Sequence, residues 1–350
     1  MMKIFDIYLI KRSFLISFLI LAVFGFLDSI FNLISELENS SNRYDILNIF
    51  RYVIFSAPHR LIDYIEGACL LGVMISLGIS HQEGNLNVMR SAGKSPLKIV
   101  FISSLGALCM VIPYLIFDEV SFRETYNQAE VRKNIILQKD NFQTNEVKWI
   151  KYEDSYLAFS NIIDNYAYQT KFIKIEDKKV KHTIKSNQAR IEKNNITFED
   201  NLTYKSFDST NRSFIPENFE IPVQSKIAFK NINHLGMSEM LIYRKLFSDS
   251  NLRKDKLFKS HLDKALYKKI FMPISIIMLL VYFGSLIFTS LRNSTLGGRI
   301  IVAVIGAFIF KLAQDLSVGI FISYSLPIFI GVIIPTLILF IMSTINYKDL

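Results

Sequence analysis

The chain has 350 residues, 51% of them hydrophobic and 20% charged, with 29 phenylalanines and a formal net charge of +9. This composition is too apolar for an ordinary soluble domain and too charged for a chain buried wholly in lipid. A membrane protein with a sizeable aqueous portion is expected, and the basic residues, scattered or beside apolar runs, fit membrane orientation better than nucleic-acid binding.

Phe14 to Leu33 is the first apolar run, long enough for a crossing that needs about 20 residues. Lys3, Lys11 and Arg12 precede it and predict a cytoplasmic N-terminus. No small-residue cleavage site follows, so the run is expected to be a retained span. Asp28 sits near its far end. Glu36 to Arg60 is polar and then amphipathic (ILNIFRYVIF) and suits an interfacial helix outside the membrane. Leu61 to Ile79 is the second span, with Asp63 and Glu66 on one helical face near its outer end, where an interfacial position removes most of the cost of charge. A polar, basic stretch follows, and Ile99 to Phe117 is the third span. Within that stretch, at about residues 81–95, Leu86, Met89 and Gly93 fall at helical spacing, with Asn85, Asn87 and Arg90 on other faces. A short helix across the ends of two spans is predicted, on the N-terminal side by virtue of Arg90, Lys94 and Lys98.

From Ser121 to Leu266 the pattern changes. Ser121 to Gln138 is charged and helical in pattern, and Met237 to Leu266 returns to it. Between them lie VKWIKY, YLAFSNI, YQTKFIKIE, KKVKHTIKS, ARIEKNNITFE and IPVQSKIAF, punctuated by turn-forming EDS, DN, EDK, KNN and EDN. An antiparallel sandwich or jelly-roll is expected, with Trp149, the only tryptophan, in its core. Three more spans, Ile270 to Phe288, Ile300 to Ile320 and Leu326 to Ile345, complete the chain, with Arg292, Arg299 and Lys348 marking cytoplasmic ends. The predicted organisation is a membrane α-helical bundle of six transmembrane helices (3+3) with an inserted extracytoplasmic β-jelly-roll: residues 1–120, then 121–266, then 267–350.

Signatures of chemistry are absent. Gly93-Lys94-Ser95 resembles the end of a phosphate-binding loop, but Val88 stands where its first glycine is needed and no strand precedes it. The histidines show no metal-binding spacing, and no GxSxG marks a nucleophile. Cys69 and Cys109 lie inside apolar segments without CxxC spacing and are expected to be small hydrophobes. No cofactor is expected on this chain. The remaining leads are charges inside spans, each costly in hydrocarbon. Lys311 and Asp315, four residues apart, either pair with each other or line a cavity that receives an anionic substrate.

Several stretches carry a resemblance. Asn85-Leu86-Asn87-Val88-Met89-Arg90-Ser91-Ala92-Gly93 resembles the cytoplasmic coupling helix of the LptF/LptG lipopolysaccharide-export permease family, where a pattern like ELxVMRAAG occurs. Met272-Pro273-Ile274-Ser275, Leu291-Arg292-Asn293 and Gly297-Gly298-Arg299-Ile300-Ile301 are similar to stretches of the LptG branch. So are Gln314-Asp315, Pro327, Pro335 and Ser56-Ala57-Pro58. Asn85 stands where the family has glutamate, with Glu83 two residues earlier, and Glu66 stands where it usually has proline.

The resemblance implies a non-enzymatic permease half of an ATP-binding-cassette exporter in the bacterial inner membrane, with both termini cytoplasmic. Implied partners are an LptF-like second permease, an LptB-like ATPase dimer that uses ATP, and LptC/LptA-like periplasmic proteins that receive lipopolysaccharide. Glu83, Asn85, Leu86, Met89, Arg90 and Gly93 would form the coupling helix, with Leu86 and Met89 seated in an apolar groove of the ATPase. Lys311, Asp315, Asp28 and Glu66 are the candidates for the substrate cavity. The alternatives are the LptF-type paralogue and a membrane-anchored sensor or scaffold, which would be expected to carry a cytoplasmic output domain.

Overall fold

The computed structural model describes residues 2–41, 44–138, 148–152, 155–159, 161–163, 166–176, 179–192, 195–199, 203–206, 217–218, 235–241, 244, 256–289 and 294–348. They divide into two compact units, Met1–Ala129 with Gly236–Leu350, and Glu130–Leu235. Among the described residues six helices are long and apolar enough to cross a membrane, three before the strands in sequence and three after.

Helix α1 (Met2–Leu37) is 36 residues long, about 54 Å at 1.5 Å per residue, so it outruns a hydrocarbon core of about 30 Å. The run Phe14 to Leu33 is only its centre. Helix α2 (Ile46–Arg60) is capped by Asp45, whose carboxylate accepts from the Asn48 amide at 3.0 Å. It is not a separate element. Through a 3-10 turn at Leu61–Tyr64 it runs into α3 (Ile65–Gln82), and the two form one candidate span, Ile46–Gln82. Ile49, Val53 and Ser56 are buried where this helix packs against α1, while Ile46, Leu47, Phe50, Ile54 and Phe55 are exposed.

A short helix, α4 (Asn85–Ser91), leads to α5 (Pro96–Phe117), a π turn at Asp118–Phe122 and α6 (Arg123–Gln138). Three long helices follow the strands: α7 (Lys256–Leu286), α8 (Leu296–Ser323) and α9 (Ile328–Lys348). Helix α3 is the most enclosed, with 67% of its most apolar window buried against 17% for α1 and 22% for α8. That difference leaves α1 and α8 with broad faces for lipid or a partner. Small residues let α1 seat closely. A Cβ on Gly72 would lie 2.5 Å from Ser17 Cα, and one on Gly106 would lie 2.4 Å from the Ile10 carbonyl oxygen. Ser13, buried between them, donates to Ser76 at 3.0 Å and pairs with Ser103 at 2.5 Å, which satisfies hydroxyls that hydrocarbon would leave bare.

This unit has two distinct ends. At one, the start of α1, α4 and the start of α8 meet, with Arg299 of α8 buried and donating to the Gly78 carbonyl of α3 at 2.9 Å. At the other, Asp28 of α1 meets Arg60 and Tyr64, and Glu119 of the π turn accepts from the Met237 amide at 2.6 Å where the chain returns from the strands.

The second unit is a small antiparallel sheet, ordered β1 (Lys148–Tyr152), β2 (Ser155–Phe159), β4 (Tyr166–Glu176), β5 (Lys179–Glu192), β6 (Asn195–Glu199), β8 (Glu217–Asn218). Strand β3 (Asn161–Ile163) pairs with β4, and β7 (Thr203–Ser206) with β5. The long hairpin β4–β5 is the spine. Its register passes from Tyr168↔Gln188 to Thr170↔Ser186, skipping Gln169, whose φ is +52°. On either side of Gln169 each long strand takes a different neighbour, β3 then β2 along β4, and β7 then β6 along β5, while the register itself shifts farther on, between Lys174 and Ile175. Leu157, Phe159, Ala167, Phe172, Ile184, Ala189, Ile196 and Phe198 form its core. Trp149 lies on β1 opposite Ala158, and the expectation for its side chain falls outside the described residues, as do the strand IPVQSKIAF and Leu291-Arg292-Asn293.

Candidate functional site

The first site is the corner built around α4. Two glycines in the left-handed region bracket it, Gly84 at φ +76° and Gly93 at φ +82°. At its end the Gly93 amide donates to the Arg90 carbonyl at 2.9 Å and the Lys94 amide to the Met89 carbonyl at 3.1 Å, the paired bonds of a Schellman stop. Ser95 then accepts from the Lys98 amide and Pro96 opens α5. Gly-Lys-Ser is thus a helix stop followed by a helix start, which places it structurally without any phosphate cradle.

Leu86 and Met89 are buried, at 0% and 2% exposure, in the chain's own core. The expectation that they seat in a partner's groove is corrected: a seven-residue helix with one apolar face spends that face on its own bundle. The outward side presents Asn87, Val88, Ser91 and Ala92. Arg90 lies over the Phe288 ring at 5.9 Å. Glu83 is taken by Arg12 in a two-pronged pair, at 2.6 and 2.8 Å, and also accepts from Tyr8 at 3.1 Å and Asn85 at 2.9 Å. The Arg12 guanidinium holds the Glu83 carboxyl down at about 2, against an ordinary 4.5. A depressed carboxyl contributes stability that is complete above 4.5 and is lost as pH falls toward 2, so the pair is intact across physiological pH. On the other flank the buried Lys94 pairs with Asp6.

The second site is a cluster of opposed charges at the other end. Lys311 pairs across helices with Asp63 at 3.8 Å, rather than through an ion pair with Asp315 on its own helix. Lys268 of α7 lies beside Lys311, and Asp315 is a charged neighbour of both. Glu66, expected at the interface, is buried at 8% exposure, because α3 is enclosed by α1, α7 and α8. Its neighbours are Lys311, Lys268 and Gln314. Glu66 Oε1 and Gln314 Oε1 are buried without a hydrogen-bond partner. A small cleft beside them is lined by Lys264, Lys268, Ser275, Gln314, Asp315, Val318 and Val332. Asp28 is committed elsewhere, accepting from Arg60 at 2.8 Å and Tyr64 at 3.0 Å.

A family model described as the lipopolysaccharide export system permease LptF/LptG matches residues 7–348. The chain belongs to the LptF/LptG family. Relatives include the lipopolysaccharide export system permease protein LptG of Haemophilus influenzae, 23% identical over 307 residues and 85% of each chain. The LptG protein of Escherichia coli K12 is 20% identical over 359 residues, covering 97% of this chain and 96% of the relative. The match runs through the six long apolar helices found among the described residues and takes in both charged sites except Asp6. Reading single segments as LptF/LptG motifs missed Arg12, Asp6, Lys268 and Asp63 as site residues. Their only local signal was a charge beside or within an apolar run, and their partners come from distant segments. Arg299, within Gly-Gly-Arg-Ile-Ile, was singled out for orientation and is instead a buried donor to α3.

Proposed function

We propose that this lipopolysaccharide export permease is the LptG-type half of an ATP-binding-cassette exporter. In this reading both termini and α4 face the cytoplasm, the sheet unit lies in the periplasm, and the chain sits in the inner membrane. A second permease of the same family pairs with it, and a separate ATPase dimer engages α4. Lipopolysaccharide leaves the membrane through the space between the permeases toward periplasmic carriers. Lys311, Lys268 and Lys264 supply cations for lipid phosphate or sugar carboxylate, and Asp63, Glu66 and Asp315 keep the cluster near neutral before the substrate arrives. Nothing on this chain is assigned a catalytic step. Hydrolysis belongs to the partner, and the permease contributes a rigid-body switch.

The observation that carries the reading is the family match over residues 7–348, which runs through the six long apolar helices among the described residues. Co-purification from native membranes tests it. An ATPase and a second six-helix permease are expected in stoichiometric amounts with the tagged chain. Recovery of the chain alone, under conditions that hold other membrane complexes together, overturns it.

A further inference from the structure

We infer that α1 carries the motion of α4 through the bundle, and that Arg12 and Asp6 are the positioning residues that lock α4 to it. This rests on α4 being the segment the ATPase engages. The residues just before and just after this seven-residue helix both reach the same helix of the bundle. Before it, Glu83 is gripped by both terminal nitrogens of Arg12 at 2.6 and 2.8 Å, with Tyr8 adding a third bond. After it, the Lys94 ammonium pairs with Asp6, the lysine side chain being 2% exposed. A forked guanidinium–carboxylate pair fixes orientation as well as distance. Helices α3 and α5 also pack against α4, but the left-handed turns at Gly84 and Gly93 keep either from continuing its axis, so the side-chain pairs to α1 are what bind its two flanks to a third helix. The inner face adds Leu86 and Met89 to the core cluster that also holds Leu9 and Leu21 of α1.

What α1 does with that grip follows from its reach. It is one unbroken helix from Asp6 and Arg12 to Asp28. There the Asp28 carboxylate accepts from Arg60 and Tyr64, and Tyr64 belongs to the same 3-10 turn as Asp63, the partner of Lys311. A displacement of α4 is therefore delivered by a rod to the turn that carries one side of the charged cluster. The rod keeps one broad face clear of its own bundle, since only 17% of its most apolar window is buried.

The test uses the complete permease–ATPase complex in lipid nanodiscs. Arg12→Glu, Glu83→Arg and the double exchange are compared for ATPase retained and for lipopolysaccharide released per ATP hydrolysed. Each single exchange is expected to keep the ATPase bound while release per ATP falls about fivefold or more, the lower range of ordinary site-to-site coupling. The double exchange is expected to recover to within about twofold of the unaltered complex, because the pair is remade with reversed charge. Arg12→Lys keeps the charge without the fork and should fall between. It decides the matter if Arg12→Glu does not assemble: an intermediate ratio supports the proposal, and an unchanged ratio overturns it. Unchanged release per ATP in both single exchanges, loss of ATPase binding as the primary defect, or no recovery in the double exchange overturns it. Full ATPase retention by Val88→Glu, on the exposed face of α4, would instead sink the assignment of α4 itself and the proposal with it.

Discussion

At position 311 a lysine sits within an apolar helix, and the first physical question is whether folding alone accounts for it. The pair with Asp63 spans 3.8 Å, with Lys311 34% and Asp63 74% exposed. Pairs of that kind contribute about 0–1 kcal/mol, too little to justify a cation in a span. Lys311→Ala is therefore expected to leave the melting temperature and partner assembly of the purified complex within error while weakening photocrosslinking to lipopolysaccharide. Loss of assembly that Asp63→Ala restores would make the lysine a structural ion-pair member and end its substrate role. Sequence spacing exposed Lys311 and Asp315 as candidates because i,i+4 neighbours are visible in a string. Asp63 and Lys268 were out of reach because their proximity depends on how α3, α7 and α8 pack, which no local pattern encodes. Arg12 was legible as an orientation signal, and its grip on Glu83 was not.

Among the elements, α4 separates what pattern can say from what packing decides. Its helical spacing identified Leu86 and Met89 as one face, but periodicity cannot tell a face turned inward from one turned to a partner. The structure buries both residues in the chain's own core. Leu86→Ala is therefore expected to destabilise the permease itself by about 2–5 kcal/mol, the usual cost of such a cavity, with lower yield and melting temperature. Val88, 53% exposed on the outer side, should behave in the opposite way: Val88→Glu keeps the melting temperature and loses ATPase co-purification. If Leu86→Ala melts like the unaltered chain yet sheds the ATPase, the inward packing of α4 is wrong. The six long helices were legible for the complementary reason, since runs of apolar residues longer than a crossing leave little alternative. Their ends were not, because α2, α3 and the 3-10 turn between them join through contacts with α1. The strand pattern of β1 to β6 was likewise visible in alternation, whereas the sharing of β4 and β5 between two sets of neighbours is a matter of pairing between distant segments, which no local pattern encodes.

For the whole molecule the decisive quantity is which end of the helical unit faces which side of the membrane. The start of α1, α4 and Arg299 gather at one end, and that end also carries Arg12, Arg90, Lys94 and Lys98. The turn between α1 and α2 and the return at Met237 gather at the other. An excess of lysine and arginine favours the cytoplasmic side in short loops, so the α4 end should be cytoplasmic and the chain leading to the sheet should emerge outside. Single cysteines test this in a background lacking Cys69 and Cys109. Ser91→Cys lies on the exposed side of α4, Ser40→Cys in the exposed turn after α1, and Lys205→Cys on an exposed position of β7. With a membrane-impermeant maleimide, Ser40→Cys and Lys205→Cys should label in intact spheroplasts, and Ser91→Cys only after the membrane is opened. The three positions constrain different crossings: Ser40 against Ser91 reports whether the α2–α3 span traverses the bilayer, and Ser91 against Lys205 whether α5 does. Labelling of Ser91→Cys and Lys205→Cys from the same side would mean that α5 re-enters or lies along the surface. If instead Ser40→Cys and Ser91→Cys labelled from the same side, the cluster around Lys311 and the corner around α4 would no longer face opposite compartments, and a push on one could not serve export at the other.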